Sequence, residues 1–428
     1  MRFECKNAGF INGLVPVCEV STYSIIKDYT GLDKINIKVK DGGAEVSAFN
    51  GRVSVSNDIS EMTVDNFEYF LREEGETTVR TSSLTSILDS FEDDEILEIF
   101  VRDVDGGGEE LVICKKSDTD EYQTLPCLDN SVNLPKKSSS YGQKLTIDRD
   151  IFVNAIKNIK FAVGFEDHNF RYKHYYLVIN TGRMRYIAGT GGRFVVLDID
   201  SDKLFSIDGK KKKIEFLFPK ESLNVVSKIL ATMDDEKIII SQTKENDNNA
   251  QIMFSVGSVK IILIDLDQTV KYPDVSGIVD DDNMSNKMVT SLSDWELVGK
   301  GIVATYDENM KKANRIPRAN IIIGDEDTMI IESKDVLKAH RKVPVIDKKV
   351  EKPIQYICPS AYLKEISENG KGNIQIETYG EPKKPIVVRY YASSKVQKRE
   401  DIKEDNEALG LTRRFTFFFA PLNATNNE

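Results

Sequence analysis

The stretch Phe152-Val153-Asn154-Ala155-Ile156-Lys157-Asn158-Ile159-Lys160-Phe161-Ala162-Val163 places its apolar residues at Phe152, Ile156, Ile159 and Val163. That is the rhythm of a helix with one apolar face, which needs a sheet to lie on. The same stripe occurs earlier as Phe10, Leu14 and Val17, and later as Leu292, Trp295, Gly299, Ile302 and Tyr306. The spacing between stripes is about 140 residues, a domain length rather than a solenoid repeat. A second short helix follows in each third: Ser82 as cap before Leu84, Ile87, Leu88 and Phe91; Pro219 before Leu223, Val226 and Leu230; Pro359 and Ser360 before Leu363 and Ile366. Pro16 inside the first helix predicts a kink or a late start, because proline has no N–H for the ladder.

The chain between these helices alternates like half-buried strands over Ile35–Val39, Ile96–Val101, Ile238–Ser241, Ile261–Leu266 and Ile374–Glu377. Turn residues separate the strands at Asp41-Gly42-Gly43, Asp105 to Gly108, Asn180-Thr181-Gly182 and Gly189 to Gly192. The expected fold class is α+β, mostly antiparallel, three times over. With 428 residues there is chain enough for about two to four domains with cores of their own.

The five cysteines are scattered and lack C-x-x-C spacing, which speaks against a disulfide framework and a zinc site. The opening Met-Arg-Phe-Glu-Cys-Lys has no apolar leader, and the longest aliphatic runs are far shorter than a bilayer, so a soluble cytoplasmic protein is expected. The three histidines, His168, His174 and His340, form no metal or protease spacing, and no G-x-S-x-G or P-loop sequence occurs. Gly189-Thr190-Gly191-Gly192 runs into the strand-like Arg193-Phe194-Val195-Val196-Leu197, so it reads as a tight turn and not a phosphate cradle. No catalytic residue, metal or cofactor is expected, and the chain is read as not an enzyme. The net charge of −11 argues against nucleic acid in bulk, yet the acidic runs at Glu92–Glu95, Asp280–Asp282 and Glu400–Glu407 fall where loops are expected, while Lys157 and Lys160 flank a helical stripe.

Tyr175-Tyr176-Leu177 followed by Met184-Arg185-Tyr186-Ile187-Ala188-Gly189-Thr190-Gly191-Gly192-Arg193-Phe194 resembles the middle domain of the bacterial DNA polymerase III beta subunit, the sliding clamp. Phe161-Ala162-Val163, Phe218-Pro219-Lys220 and Tyr272-Pro273-Asp274 continue the likeness in order, as do Thr77-Thr78-Val79, Thr124-Leu125-Pro126, Ser360 to Ile366 and Phe418-Phe419-Ala420-Pro421-Leu422. The chain departs from the family at Gly189, where threonine is common, at Gly192, where histidine is common, and at Ala420 and Leu422, which replace methionines. Polar segments near Met62–Glu74 and Ser393–Gly410 are foreign to the compact pattern, and the charge of the second predicts a mobile loop.

The resemblance implies three repeated DNA-clamp domains, residues 1–134, 135–284 and 285–428, with antiparallel sheets outside and two helices per domain lining a ring. Two chains would join head to tail as a homodimer, encircle double-stranded DNA without reading its sequence, slide along it and tether the replicative polymerase as a processivity factor. Screening over about 10 Å would let inner-face lysines dominate over an acidic outer wall. Their candidates are Lys157, Lys160, Lys220, Lys228, Lys300 and Lys364. A pocket for short peptide motifs of polymerase and clamp loader would have Thr190, Gly191, Arg193, Phe194, Pro273, Ile278, Ser360, Ile374, Ile376, Pro421 and Leu422 as its walls; core packing is the competing reading of Ile374 and Ile376. From other classes, a β-rich carbohydrate-active enzyme with scattered carboxylates, or a structural assembly protein reusing the fold, stays open as an alternative.

Overall fold

The structure is a computed structural model. It describes the chain except residues 24, 27–28, 30, 61–63, 65–66, 129–133, 136–137, 139–140, 165–169, 181, 201–204, 209–212, 244–249, 265, 267–270, 304–317, 325, 334–339, 370–371, 392–411 and 422–428. The chain forms two compact units. One comprises residues 1–153, 205–211 and 218–269; the other comprises 154–204, 212–217 and 270–428.

The first unit holds a five-stranded and a nine-stranded antiparallel sheet. The helix Asn7–Ser21 lies on the nine-stranded sheet through the expected stripe, with Phe10, Leu14 and Val17 fully or almost fully buried. Pro16 is inside this helix, which nevertheless begins at Asn7, so the late start suggested by the sequence does not occur. Gly13 allows the close approach: a Cβ there would lie 2.4 Å from the Ile59 side chain. The second helix, Thr81–Leu88, is not capped by Ser82. The Asp33 carboxylate takes that role from the loop before the strand Lys34–Lys40, accepting the Ser82 N–H at 2.8 Å and its hydroxyl at 2.7 Å. A side-chain oxygen satisfies the orphan donor as a neighbouring cap would, though it comes from 49 residues away.

The second unit is built on a twelve-stranded antiparallel sheet. On it the helices Leu292–Val303 and Ser360–Asn369 pack together, burying Trp295, Leu363 and Ile366. The predicted strands are present as Lys34–Lys40, Ile96–Asp103, Lys237–Thr243, Val259–Leu263 and Asn373–Thr378.

One pairing scheme recurs three times. The opening strand Arg2–Lys6 lies between Tyr69–Glu73 and Ile96–Asp103. Tyr141–Asp148 lies between Phe205–Asp208 and Lys237–Thr243, and Asn286–Ser291 between the later half of His340–Val350 and Asn373–Thr378. Part of the segment Met62–Glu74, foreign to the compact pattern by sequence, is therefore a regular strand. The charged segment 393–410 lies outside the described residues. Among those described, no helix is long and apolar enough to cross a membrane.

Candidate functional site

The glycine cluster is the tight turn its sequence predicts. It joins the antiparallel strands Arg183–Gly189 and Arg193–Asp200, with Gly189 opposite Phe194 and the Thr190 N–H donating to the Arg193 carbonyl at 2.7 Å. Each of three glycines makes room for something different. A Cβ on Gly189 would sit 2.3 Å from the Phe194 ring and 2.7 Å from the Arg193 carbonyl oxygen; one on Gly191 would rest 3.7 Å from Tyr172; one on Gly192 would meet the Tyr362 hydroxyl at 2.9 Å. The Ala420 N–H donates to the Gly192 carbonyl at 3.0 Å and fastens the end of the strand Thr412–Phe419 to the turn.

Aromatic side chains gather here. Phe194 stacks on Phe418 with ring centroids 5.2 Å apart and meets Tyr172 and Tyr272 edge-on at 5.8 and 6.3 Å. Tyr176 stacks on Tyr272 at 5.2 Å. Tyr362, from the helix Ser360–Asn369, packs on Phe419 at 5.4 Å and receives the Arg193 guanidinium 5.2 Å over its ring. That guanidinium also contacts Glu365, Nη1 to Oε1 at 2.8 Å, and the Phe161 carbonyl at 3.4 Å. Burial pushes the Glu365 carboxyl up to about 7, against the opposing pull of Arg193. The turn thus carries small residues on its rim, half-buried rings on its floor, and a tyrosine at either end. Such a surface suits the apolar side chains of an extended peptide.

A more polar cleft of about 390 Å³ adjoins it through Tyr272 and Pro273 and is lined also by Tyr176, Arg183, Lys213 and Asp280. Arg185 organises its wall. Its guanidinium lies 2.7 Å from Asp198 Oδ1 and 2.6 Å from Asp280 Oδ1, joining the buried strand to the one-turn helix Ser276–Val279. Arg389 holds the same segment from another side: its Nε lies 2.7 Å from Glu377, and its Nη1 donates to the Val279 carbonyl at 2.7 Å. Ile278 and Phe194 rest on the apolar cluster beneath, which includes Ile187, Val196, Val279 and Phe418.

Of the residues expected to form the pocket, Thr190, Gly191, Arg193 and Phe194 form the turn, while Pro273 and Ile278 belong to the adjoining segment. Ser360 is the buried first residue of the helix that carries Tyr362, and Pro421 is half-buried just after the strand tied to Gly192. Ile374 and Ile376 are 0% and 1% exposed, so they support the sheet from its core and offer no surface to a ligand. Leu422 lies outside the described residues. Sequence reading did not single out Tyr172, Tyr176, Tyr272, Tyr362 or Glu365 for the site; aromatic clustering at turns and helix starts was the available signal.

The lysines divide similarly. Lys157 and Lys160 are exposed, at the end of the helix Arg149–Ile159 and just after it. Lys228 is exposed and lies 5.3 Å over the Tyr23 ring, and Lys364 pairs with Glu368 at 3.5 Å on its own helix. Lys300 lies in the helix Leu292–Val303. Lys220 departs from expectation: it is only 7% exposed at the start of its helix, because this position faces the core, and it presents little charge to solvent. Among the described residues no group of three or more His, Cys, Asp or Glu is placed to hold a metal ion.

The architecture over the whole chain is that of the DNA polymerase sliding clamps. Among solved structures, the sliding clamp of Bacillus subtilis superposes with a TM-score of 0.74 at 14% identity, covering 99% of each chain. The DNA polymerase III subunit beta of Pseudomonas aeruginosa gives 0.75 at 14% identity, and the sliding clamp of Caulobacter crescentus 0.73 at 14%; each match covers 99% of this chain and 100% of the other. No protein-family model and no curated protein matches the sequence.

Proposed function

We propose that this chain is a DNA polymerase processivity factor: a homodimer, closed head to tail, that encircles duplex DNA, slides along it in the cytoplasm and tethers the replicative polymerase. The observation that carries this reading is the clamp fold over essentially the full length, built from a strand scheme that recurs three times. That recurrence supports a division into domains at residues 1–134, 135–284 and 285–428. Lys157, Lys160, Lys228, Lys300 and Lys364 would face the DNA from helices, and Lys220 drops out because it is buried. Binding of this kind depends on charge and topology and leaves base sequence unread.

The aromatic turn around Phe194 would receive short peptides from polymerase and clamp loader. Preformed rings fixed by stacking lose little entropy when an apolar anchor docks, so a short motif can bind usefully. Single-particle electron microscopy of the purified protein tests the reading. Two-chain rings with a central hole are expected; monomers, or compact particles without a hole at every concentration, would rule it out.

A further inference from the structure

Two sheet faces in this chain carry the same kind of side chains, and only one of them is covered. The face of the twelve-stranded sheet that bears Ile187, Val196, Val387 and Phe418 also bears Arg185 and Arg389, each two residues along its strand from Ile187 or Val387. The chain's own segment 275–284 lies on it, with Val275, Val279 and Met284 as its apolar contacts. Both guanidiniums are neutralised within the sheet, Arg185 by Asp198 and Arg389 by Glu377. They nevertheless hold the segment: Arg185 reaches Asp280 at 2.6 Å, and Arg389 donates to the carbonyls of Val279 and Asp281 at 2.7 and 3.2 Å. The Tyr379 hydroxyl adds a bond to the Asp281 carboxylate at 3.0 Å. Under this cover the two arginine side chains are 9% and 1% exposed.

The five-stranded sheet repeats the pattern with no such cover among the described residues. On its outward face Arg2, Arg72 and Arg102 meet Glu98, Glu4 and Glu110 at 2.6, 2.7 and 2.7 Å, and Lys116 is a second cation on Glu4. Each guanidinium also lies over a ring: Arg2 over Phe100 at 5.1 Å, Arg72 over Phe70 at 4.3 Å and Arg102 over Tyr122 at 4.7 Å. Here the three arginine side chains are 50%, 48% and 40% exposed, and Phe70 and Tyr122 are 53% and 49% exposed. Glu4 and Glu98 lie beneath them, buried. Arginines interleaved with open rings are the composition of a surface that another protein covers.

We propose that this face is the docking site for an acidic segment of a partner protein, held as the segment 275–284 is held on the other sheet. Aliphatic side chains of the partner would rest on Phe70, Phe100 and Tyr122, and its carboxylates and carbonyls on Arg2, Arg72 and Arg102. With carboxylates below and cations above, the outermost layer is positive and draws acidic side chains in. The same carboxylates cancel most of the charge, so a polyanion such as single-stranded DNA has little to gain here from counterion release. The face belongs to one sheet of one chain, and docking on it requires no ring.

The probe is a labelled peptide of residues 273–285, which sets Asp274, Asp280, Asp281 and Asp282 among Val275, Ile278, Val279 and Met284. The full chain keeps its own copy of that segment in place. Fluorescence anisotropy should show saturable binding below about 1 mM, weakened at least about tenfold when Asp280, Asp281 and Asp282 of the peptide are replaced by asparagine. Arg72→Gln with Arg102→Gln in the chain should weaken it by at least about tenfold as well. Lys116 still neutralises Glu4 in that variant. Phe70→Ser breaks no ion pair and changes a side chain already open to water, so weaker binding in it, with an unchanged circular dichroism spectrum, separates loss of the site from loss of the fold. No binding by about 1 mM, or equal binding by wild type and both variants, would overturn the proposal. A labelled oligothymidylate that binds more tightly than the peptide, and is lost in the Arg72 and Arg102 variant, would overturn it in favour of nucleic acid.

Discussion

At Gly189 a side chain has nowhere to go. The obstruction includes the Arg193 carbonyl, which belongs to the backbone of the paired strand and cannot swing aside. Gly189→Ala is therefore expected to destabilise the fold by about 1–3 kcal/mol in thermal denaturation. Gly192→Ala meets only the hydroxyl end of Tyr362 and should leave stability within about 0.5 kcal/mol. Glu365 provides a second test at this scale. Its carboxyl titrates at about 7 in the fold against an ordinary 4.5, so between those values the folded state holds a proton that the unfolded chain releases. Stability from this group is greatest at low pH and is lost as pH rises through that window. Glu365→Gln should flatten this part of the stability profile and raise stability relative to wild type above pH 7, on the order of 2 kcal/mol by denaturant titration.

Arg185 acts between elements. Removing it would leave Asp198, 0% exposed, as a buried charge without its main partner, and would release the one-turn helix Ser276–Val279 from Asp280. Arg185→Met should cost roughly 3–5 kcal/mol, and adding Asp198→Asn should recover a good part of it, as chemical denaturation of the two variants would show. Elements with a one-sided apolar pattern were legible in the sequence: the stripes of Phe10 and Phe152, and the alternation of Ile35 to Val39, mark faces that must be buried. The short strands Tyr69–Glu73 and Phe205–Asp208 were not, because they run along first strands already paired on their other side and few of their side chains enter a core. The capping of Ser82 by Asp33 and the meeting of Arg193 with Tyr362 and Glu365 depend on spatial neighbours that no local window contains. The turn itself was readable because Gly189 to Gly192 obey local rules; its aromatic walls come from four separate segments.

For the whole molecule, the lysine assignment separates DNA association from assembly. Lys157→Glu with Lys160→Glu should sharply reduce polymerase processivity on primed DNA while the dimer sediments unchanged. Both side chains are exposed, so folding should hardly notice the change. Unaltered processivity would remove these two residues from the DNA-facing set. The pairing of Val53–Ile59 with Val259–Leu263 has a consequence of another kind. Asn57 and Ser258, joined by a 2.7 Å hydrogen bond, stand 201 residues apart. At ordinary translation speeds a ribosome needs roughly 10–40 s to cover that distance. Throughout that interval the newly made strand, with Val53 and Val55 destined for burial, waits as an open edge able to recruit any passing strand. A polypeptide released before its partner strand has emerged would carry that edge permanently, so a strand made well before its partner is sealed only when Val259–Leu263 arrives.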